Sequence, residues 1–236
     1  MKKAVLIALQ SLVRLSLCLP LIAPLALATE QQSTNKPLRV AFFSPGYEHS
    51  DNPTGQFWPE SSRFAEAAAN QLGVELDIYY ANRDYLKMQR QIAKSLRAQN
   101  RPDYFILVNE RFALTPQIRD INQAGVPFFL AYNHLQKPNA ETLLLPRRDY
   151  KNWIGSLVPD NRYAGYSLAK HLIRKIEPDK PKILVLAGDN VTSAAILREQ
   201  GLNSVLENHP DAIVKERIVG NWGYAEPRAK IRGILH

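Results

Sequence analysis

The chain has 236 residues, 45% of them hydrophobic, enough for one or two domains with sizeable cores. Its formal charge of +8 comes from 30 Lys and Arg against 22 Asp and Glu. These are interspersed, as in Arg83-Asp84 and Lys215-Glu216-Arg217, and form no basic stripe laced with aromatics, so no nucleic-acid partner is expected.

Residues 1–28 read as a secretory signal peptide. Lys2 and Lys3 open it, an apolar tract follows over 15–27, and Ala26-Leu27-Ala28 supplies a small-x-small cleavage pattern before the polar residues 29–37. The alternative is a retained membrane anchor, against which Arg14 interrupts the apolar run. Cleavage after Ala28 places the mature chain in the periplasm. It removes Lys2, Lys3 and Arg14 and no acid, which lowers the charge from +8 to +5, and it removes Cys18, the one cysteine. Disulfides and cysteine-based metal sites are thereby excluded.

Residues 38–43 predict a buried strand ended by Ser44-Pro45-Gly46. The loop over 47–56 is long for a strand–helix connection, and long ordered loops tend to be functional. It delivers Phe57 and Trp58 to a helix running to about Leu72, with Phe64, Ala68 and Leu72 as its buried face and Gly73 as its stop. Alternation over 74–80 predicts a strand, and Met88, Ile92 and Leu96 make the stripe of a helix over 84–98. A buried strand at 103–109, a helix at 116–124 carrying Ile118 and Ile121, and a strand at 126–132 follow. Such strand–helix alternation predicts a doubly wound α/β lobe, placed at 38–155.

Residues 134–151 are polar without clear periodicity, and 152–155 read as a brief extended segment. Asp160 or Asn161 caps the next helix, whose inner face is expected at Ala164, Leu168 and Leu172. The run 183–187 reads as a strand covered on both faces. A Gly-Asp-Asn turn follows, in which Asp189 serves as a turn or capping residue, then a helix from Ser193 to about Glu207, capped by Thr192 or Ser193. A strand at 212–219, the Asn221-Trp222-Gly223 loop and a helix opening near Glu226-Pro227 complete a second lobe at 156–236.

Residues 182–201 (KILVLAGDNVTSAAILREQG) resemble the second-lobe strand–turn–helix of type I periplasmic binding proteins, the ribose-binding and autoinducer-2-binding group. Residues 57–58, 158–165 and 222 match the same family in the same order. The resemblance implies an α/β fold of two doubly wound parallel-sheet lobes joined by a hinge, with Asp160 and Asn161 at the crossing. It also implies further strand–helix units beyond residue 236, so a shortened second lobe is expected. In the family an Arg at the position of Arg198 grips ligand hydroxyls, and the aromatics matched by Phe57, Trp58 and Trp222 pack on the ligand. Asn133 falls where the family has a contacting Arg or Asn. Its neighbour Tyr132 replaces the acid of ribose-binding members, which argues against ribose itself.

The residues alone carry part of this. Sugars have apolar C–H faces and hydroxyl rims, so their sites pair flat aromatics with multi-donor polar groups such as Arg198 and Asn133. Structural readings stand beside each: a core or staple role for Trp58 and Phe57, a turn for Asn133, a solvated ion pair for Arg198, and a core position for Trp222. No nucleophile elbow, P-loop, zinc-protease or dinucleotide motif occurs, and the five histidines have no ligand-like spacing, so neither enzyme activity nor a cofactor or metal is expected. The expected function is a monomeric solute-binding protein that hands a sugar or sugar-like molecule to an ABC permease. The alternatives are a binding protein that signals to a membrane sensor kinase and, from another class, a secreted α/β enzyme.

Overall fold

The computed structural model describes residues 36–135, 144–176 and 181–235. The signal peptide expected at 1–28, and part of the irregular segment 134–151, lie outside the described residues. Among those described, no helix is long and apolar enough to cross a membrane.

The first lobe is a five-stranded parallel sheet of order β2-β1-β3-β4-β5. Its strands are β1 (Arg39–Ser44), β2 (Glu75–Tyr80), β3 (Tyr104–Leu107), β4 (Phe128–Ala131) and β5 (Trp153–Leu157). Helices α1 (Phe57–Leu72), α2 (Tyr85–Arg97) and α3 (Thr115–Gln123) connect the first four. Successive strand residues point to opposite faces, and both faces are covered. Ala41, Phe43, Phe105, Leu107, Phe128 and Leu130 pack on one face with Met88 and Ile92 of α2 and Ile118 and Ile121 of α3. Phe42 and Val108 pack on the other with Trp58 of α1. The expected stripes of α2 and α3 are therefore the ones the sheet covers. Asp84 caps α2 by accepting from the Lys87 backbone N–H at 3.0 Å. The segment expected to be briefly extended at 152–155 is a full sheet strand, anchored by the buried Trp153, whose indole Nε1 donates to the Gly155 carbonyl at 2.8 Å.

The second lobe contains a two-stranded parallel sheet, β6 (Lys182–Ala187) with β7 (Ile213–Val219), and helices α4 (Asn161–Lys175), α5 (Ser193–Leu206) and α6 (Ala225–Leu235).

Four expectations about faces and caps are corrected. On α1 the buried residues are Trp58, Pro59, Ser62 and Ala69, whereas Phe64 and Leu72 are each 76% exposed and Ala68 is exposed as well. At about 100° per residue, Phe64 lies roughly 200° round the helix from Ser62. The side holding Trp58 and small residues wins because it lets the helix seat closely on Phe42 and Val108. On α4 the inner face is Asn161, Gly165 and Ala169, and Ala164, Leu168 and Leu172 point outward. Here Gly165 of α4 and Gly201 of α5 bring the two backbones into contact, since a Cβ on either would overlap a carbonyl oxygen of the other helix, Arg198 or Arg162 respectively.

Strand β6 is not covered on both faces. Ile183 is buried, Leu184 and Val185 are half-buried and Leu186 is 56% exposed. A two-strand sheet offers a single neighbour, and its helices leave part of one face open. Finally, Thr192 stands at the N-cap of α5 but makes no capping hydrogen bond, nor does Ser193 supply one. Asp189 Oδ1 orders that turn instead, accepting from the N–H groups of Val191 (3.1 Å) and Thr192 (2.7 Å).

Candidate ligand-binding cleft

Ligands of open α/β folds lie beyond the carboxyl ends of the strands. Backbone geometry marks that edge here. Eight described non-glycine residues have positive φ, and seven of them directly follow β2 (Asn82, Arg83), β3 (Arg111, Phe112), β4 (Tyr132) and β7 (Asn221, Trp222). Left-handed conformations at such residues cost on the order of 1–3 kcal/mol each and cluster at functional sites. Three of them, Arg83, Tyr132 and Trp222, line one cleft of about 410 Å³ between the two lobes.

One wall is aromatic. Chain turns after β1 at Pro45 and Gly46, and Gly46 is glycine because a Cβ there would overlap the Trp58 ring. Asn52 folds the following loop, donating to the carbonyls of His49 (2.6 Å) and Gly55 (2.9 Å) and accepting from both the N–H and the hydroxyl of Thr54. Thr54, Phe57 and Trp58 all line the cleft. Phe57, Trp58 and Tyr132 meet edge to face with centroids 5.0–5.3 Å apart. Trp58 is 8% exposed and Phe57 54%, so Trp58 serves core and cleft together while Phe57 offers its ring to the cleft.

The opposite wall comes from the second lobe. The Trp222 ring lies against Gly188, where any Cβ would overlap it, and the Arg198 guanidinium sits 6.0 Å from its centroid. Asn133, which is 4% exposed, closes the seam: its Oδ1 accepts from Ser193 Oγ at 3.1 Å, joining the end of β4 to the start of α5. The structure thus brings Phe57, Trp58, Asn133, Arg198 and Trp222 to one cleft, although Asn133 spends its carbonyl on the other lobe.

Asp160 caps α4, accepting from the Tyr163 N–H at 2.9 Å. Asn161 is the first helical residue. Its amide donates to the Pro159 carbonyl at 3.1 Å, and its side chain lines the cleft as well as standing at the crossing.

Sequence reading passed over Arg83, Glu110, Thr192 and Ala194, which also line the cleft. Arg83, read as one of a scatter of surface charges, lies 2.6 Å from the Glu110 carboxylate, and the two side chains are 20% and 6% exposed. Glu110 heads the short helical turn Glu110–Phe112 after β3, which Asn109 ties down by donating to the His134 carbonyl at 2.9 Å. Burial pushes the Glu110 carboxyl above its ordinary value of 4.5, and Asp189 adds to this, while Arg83 and Arg111 pull the other way. The available signal was position: both residues sit at carboxyl ends of strands, where a charged side chain is aimed at the ligand edge. A second hollow, about 500 Å³, lies between the exposed 47–52 loop and β2, but the first lobe alone builds it.

The arrangement can clasp a small molecule that has a flat apolar face and a hydrogen-bonding rim. The family model described as a periplasmic binding protein domain matches residues 50–236. A periplasmic sugar-binding protein from Pseudomonas fluorescens is similar in structure at TM-score 0.69 and 31% identity, over 84% of this chain and 56% of that one. The arabinose ABC transporter's periplasmic binding component from Shewanella sp. ANA-3, bound to L-arabinofuranose, aligns at TM-score 0.67 and 20% identity over 84% and 59% of the two chains. The fructose-binding periplasmic domain of a hybrid two-component system aligns at TM-score 0.66 and 17% identity over 84% and 59%. The chain thus spans less than two thirds of the length of each of these proteins. With the match over 50–236, and with strand-end side chains from two parallel sheets meeting at one cleft, the chain belongs to the periplasmic binding protein domain family.

Proposed function

We propose that this protein is exported to the periplasm with cleavage after Ala28 and captures a sugar or sugar-like molecule between its two lobes. It carries that ligand to an ABC permease, as a monomer and without covalent chemistry. One observation carries the reading: an aromatic pair from the first lobe, Phe57 and Trp58, faces Trp222 and Arg198 of the second across a cleft of about 410 Å³. That volume falls in the range of roughly 300–1,000 Å³ usual for small-molecule sites. In the bound state the rings take the sugar's C–H faces, Arg198 donates to hydroxyls at the rim, and Asn133 contributes its amide N–H. The passage between lobes runs through Asp160 and Asn161, and motion there opens the cleft.

The likeness to the periplasmic domain of a two-component system supports a second reading, in which the occupied form is sensed by a membrane kinase. The site would be the same and the partner different.

A thermal-shift titration of the protein against pentoses, hexoses and inositols tests the capture step. A ligand at a hundredfold excess over its Kd stabilises the folded state by about 2.7 kcal/mol. A saturable shift that disappears in both Trp222→Ala and Arg198→Ala is the expected result. A shift that survives both changes would place the ligand elsewhere, and no shift with any sugar would remove the sugar reading.

A further inference from the structure

A buried hydrogen bond crosses from lobe to lobe. Ser193, the first residue of α5, donates its hydroxyl to Asn133 Oδ1 at the end of β4 over 3.1 Å, and the two residues are 3% and 4% exposed. Neither end of this bond follows from its local sequence. A serine opening a helix ordinarily turns its oxygen back on the free N–H groups of the first turn. Here Asp189 orders the approach to α5, and the Ser193 hydroxyl reaches away to the other lobe. Asn133 in turn stands in a tight turn: its N–H donates to the Ala131 carbonyl at 2.8 Å, and Tyr132 before it is held at a φ of 67°. Such backbone is strained for a tyrosine and persists where its surroundings over-determine it.

We propose that Ser193 is a positioning residue for the ligand: from the second lobe it holds the Asn133 amide by its oxygen, which presents the amide nitrogen to the cleft as a donor only while the lobes are together. This rests on the sugar reading above and deepens it by naming the group that couples closure to the grip on the ligand.

An asparagine amide carries an accepting oxygen and a nitrogen with two hydrogens to donate, and half a turn about its last bond exchanges them. With Ser193 donating to the oxygen, the nitrogen is the atom left for the ligand. Asn133 lines the cleft, and its Nδ2 has no hydrogen-bond partner among the described residues. Unlike Asn161 Oδ1 and Thr192 Oγ1 of the same cleft, it is not sealed from solvent. The hydroxyl oxygens of a sugar accept from such a nitrogen. The bond to Ser193 exists between lobes, so opening about residues 160–161 separates its two ends and returns the amide to water, free to take either orientation. Removing the Ser193 hydroxyl leaves Oδ1 buried without a donor in the closed form, whereas water satisfies it in the open one. The loss therefore falls on the arrangement that holds ligand, and it speeds dissociation rather than slowing encounter.

The experiment measures affinity by calorimetry and dissociation by tryptophan fluorescence, since Trp58 and Trp222 line the cleft, with L-arabinose, D-galactose, D-glucose and myo-inositol as probes. Wild type, Ser193→Ala, Asn133→Ala and the double variant are compared. The expected result is that at least one probe binds wild type and that Ser193→Ala weakens it about tenfold or more, chiefly through faster dissociation. In the Asn133→Ala background the same change should cost less than about threefold, because no amide is left to position. Equal losses in the two backgrounds would overturn the proposal, since a serine that only supports the fold costs the same with or without Asn133. A probe whose binding depends on Trp222 but is unchanged in Ser193→Ala would overturn it too, and would leave the sugar cleft standing. If no probe binds, the sugar reading falls and this one falls with it. The variants' unliganded melts separate lost affinity from lost folding, and Ser193→Cys, a far weaker donor, carries the comparison if Ser193→Ala does not fold.

Discussion

At the residue scale the cleft is assembled from groups held in positions they would not choose in isolation, and Glu110 shows the consequence for pH. Burial raises its pKa from 4.5, Asp189 reinforces the rise, and Arg83 and Arg111 oppose it. The folded state therefore binds this proton more tightly than the unfolded chain does. The resulting stability is fully present below 4.5 and is lost as pH rises through the folded value. As pH rises above 4.5 the melting temperature of the unliganded wild type should fall relative to Glu110→Gln, and parallel curves would show that Glu110 is not the source. His134 runs in the opposite sense. Burial lowers its pKa from 6.5, with Asp160 partly compensating, so its contribution is present above 6.5 and is lost as pH falls through the lowered folded value. A His134→Gln series should accordingly diverge from wild type on the acid side, where the neutral imidazole of the wild type must charge.

At the scale of elements, what packs against a helix decides which stripe matters. Phe64 is 76% exposed, so Phe64→Ala should change stability by less than about 0.5 kcal/mol. Ile92, fully buried in the core of the first lobe, should cost roughly 2–5 kcal/mol as Ile92→Ala in the same denaturant titration. Helix α5 provides a sharper case. Gly→Ala within a helix ordinarily adds about 1 kcal/mol of propensity, yet at Gly201 the new Cβ would run into the Arg162 carbonyl. Gly201→Ala should therefore destabilise by about 1–3 kcal/mol and displace Arg198 one turn away, and a stabilised variant would mean that α4 and α5 are not in backbone contact. These cases also show where the sequence was legible. Met88, Ile92, Ile118 and Ile121 announced their faces because large aliphatic residues at helical spacing had a sheet to cover. Faces built on Gly165, Gly201, Ser62 and Ala69 stayed hidden, because small residues carry no hydrophobic signal even where they set the closest approach. Within the cleft, aromatics and Arg198 could be read by position and likeness. Arg83 and Glu110 share that positional signal, but their pairing could not be read, since it depends on how β2 and β3 lie in the sheet rather than on local spacing.

Taken whole, the molecule distributes its apolar burial unevenly between the lobes. The large core cluster draws on strands β1, β3, β4 and β5, on helices α2 and α3 and on nearby loops, and none of its buried members lies beyond Trp153. Past that point the buried hydrophobics among the described residues are Ala169, Ile183, Ala195, Val205 and Ile218, while Leu168, Leu172 and Leu186 remain 72%, 43% and 56% exposed. Apolar burial is the main term opposing chain entropy, so local opening should require less free energy in the second lobe. Hydrogen–deuterium exchange of the unliganded protein should run faster at β6, β7 and α5 than at β1, β3 and α2. Added ligand should protect the second lobe most, because Trp222 and Arg198 bring its half of the cleft into contact with a molecule that the first lobe also holds. Uniform exchange across both sheets would contradict the uneven-core argument. Uneven exchange that sugar leaves unchanged would keep that argument and count against capture between the lobes.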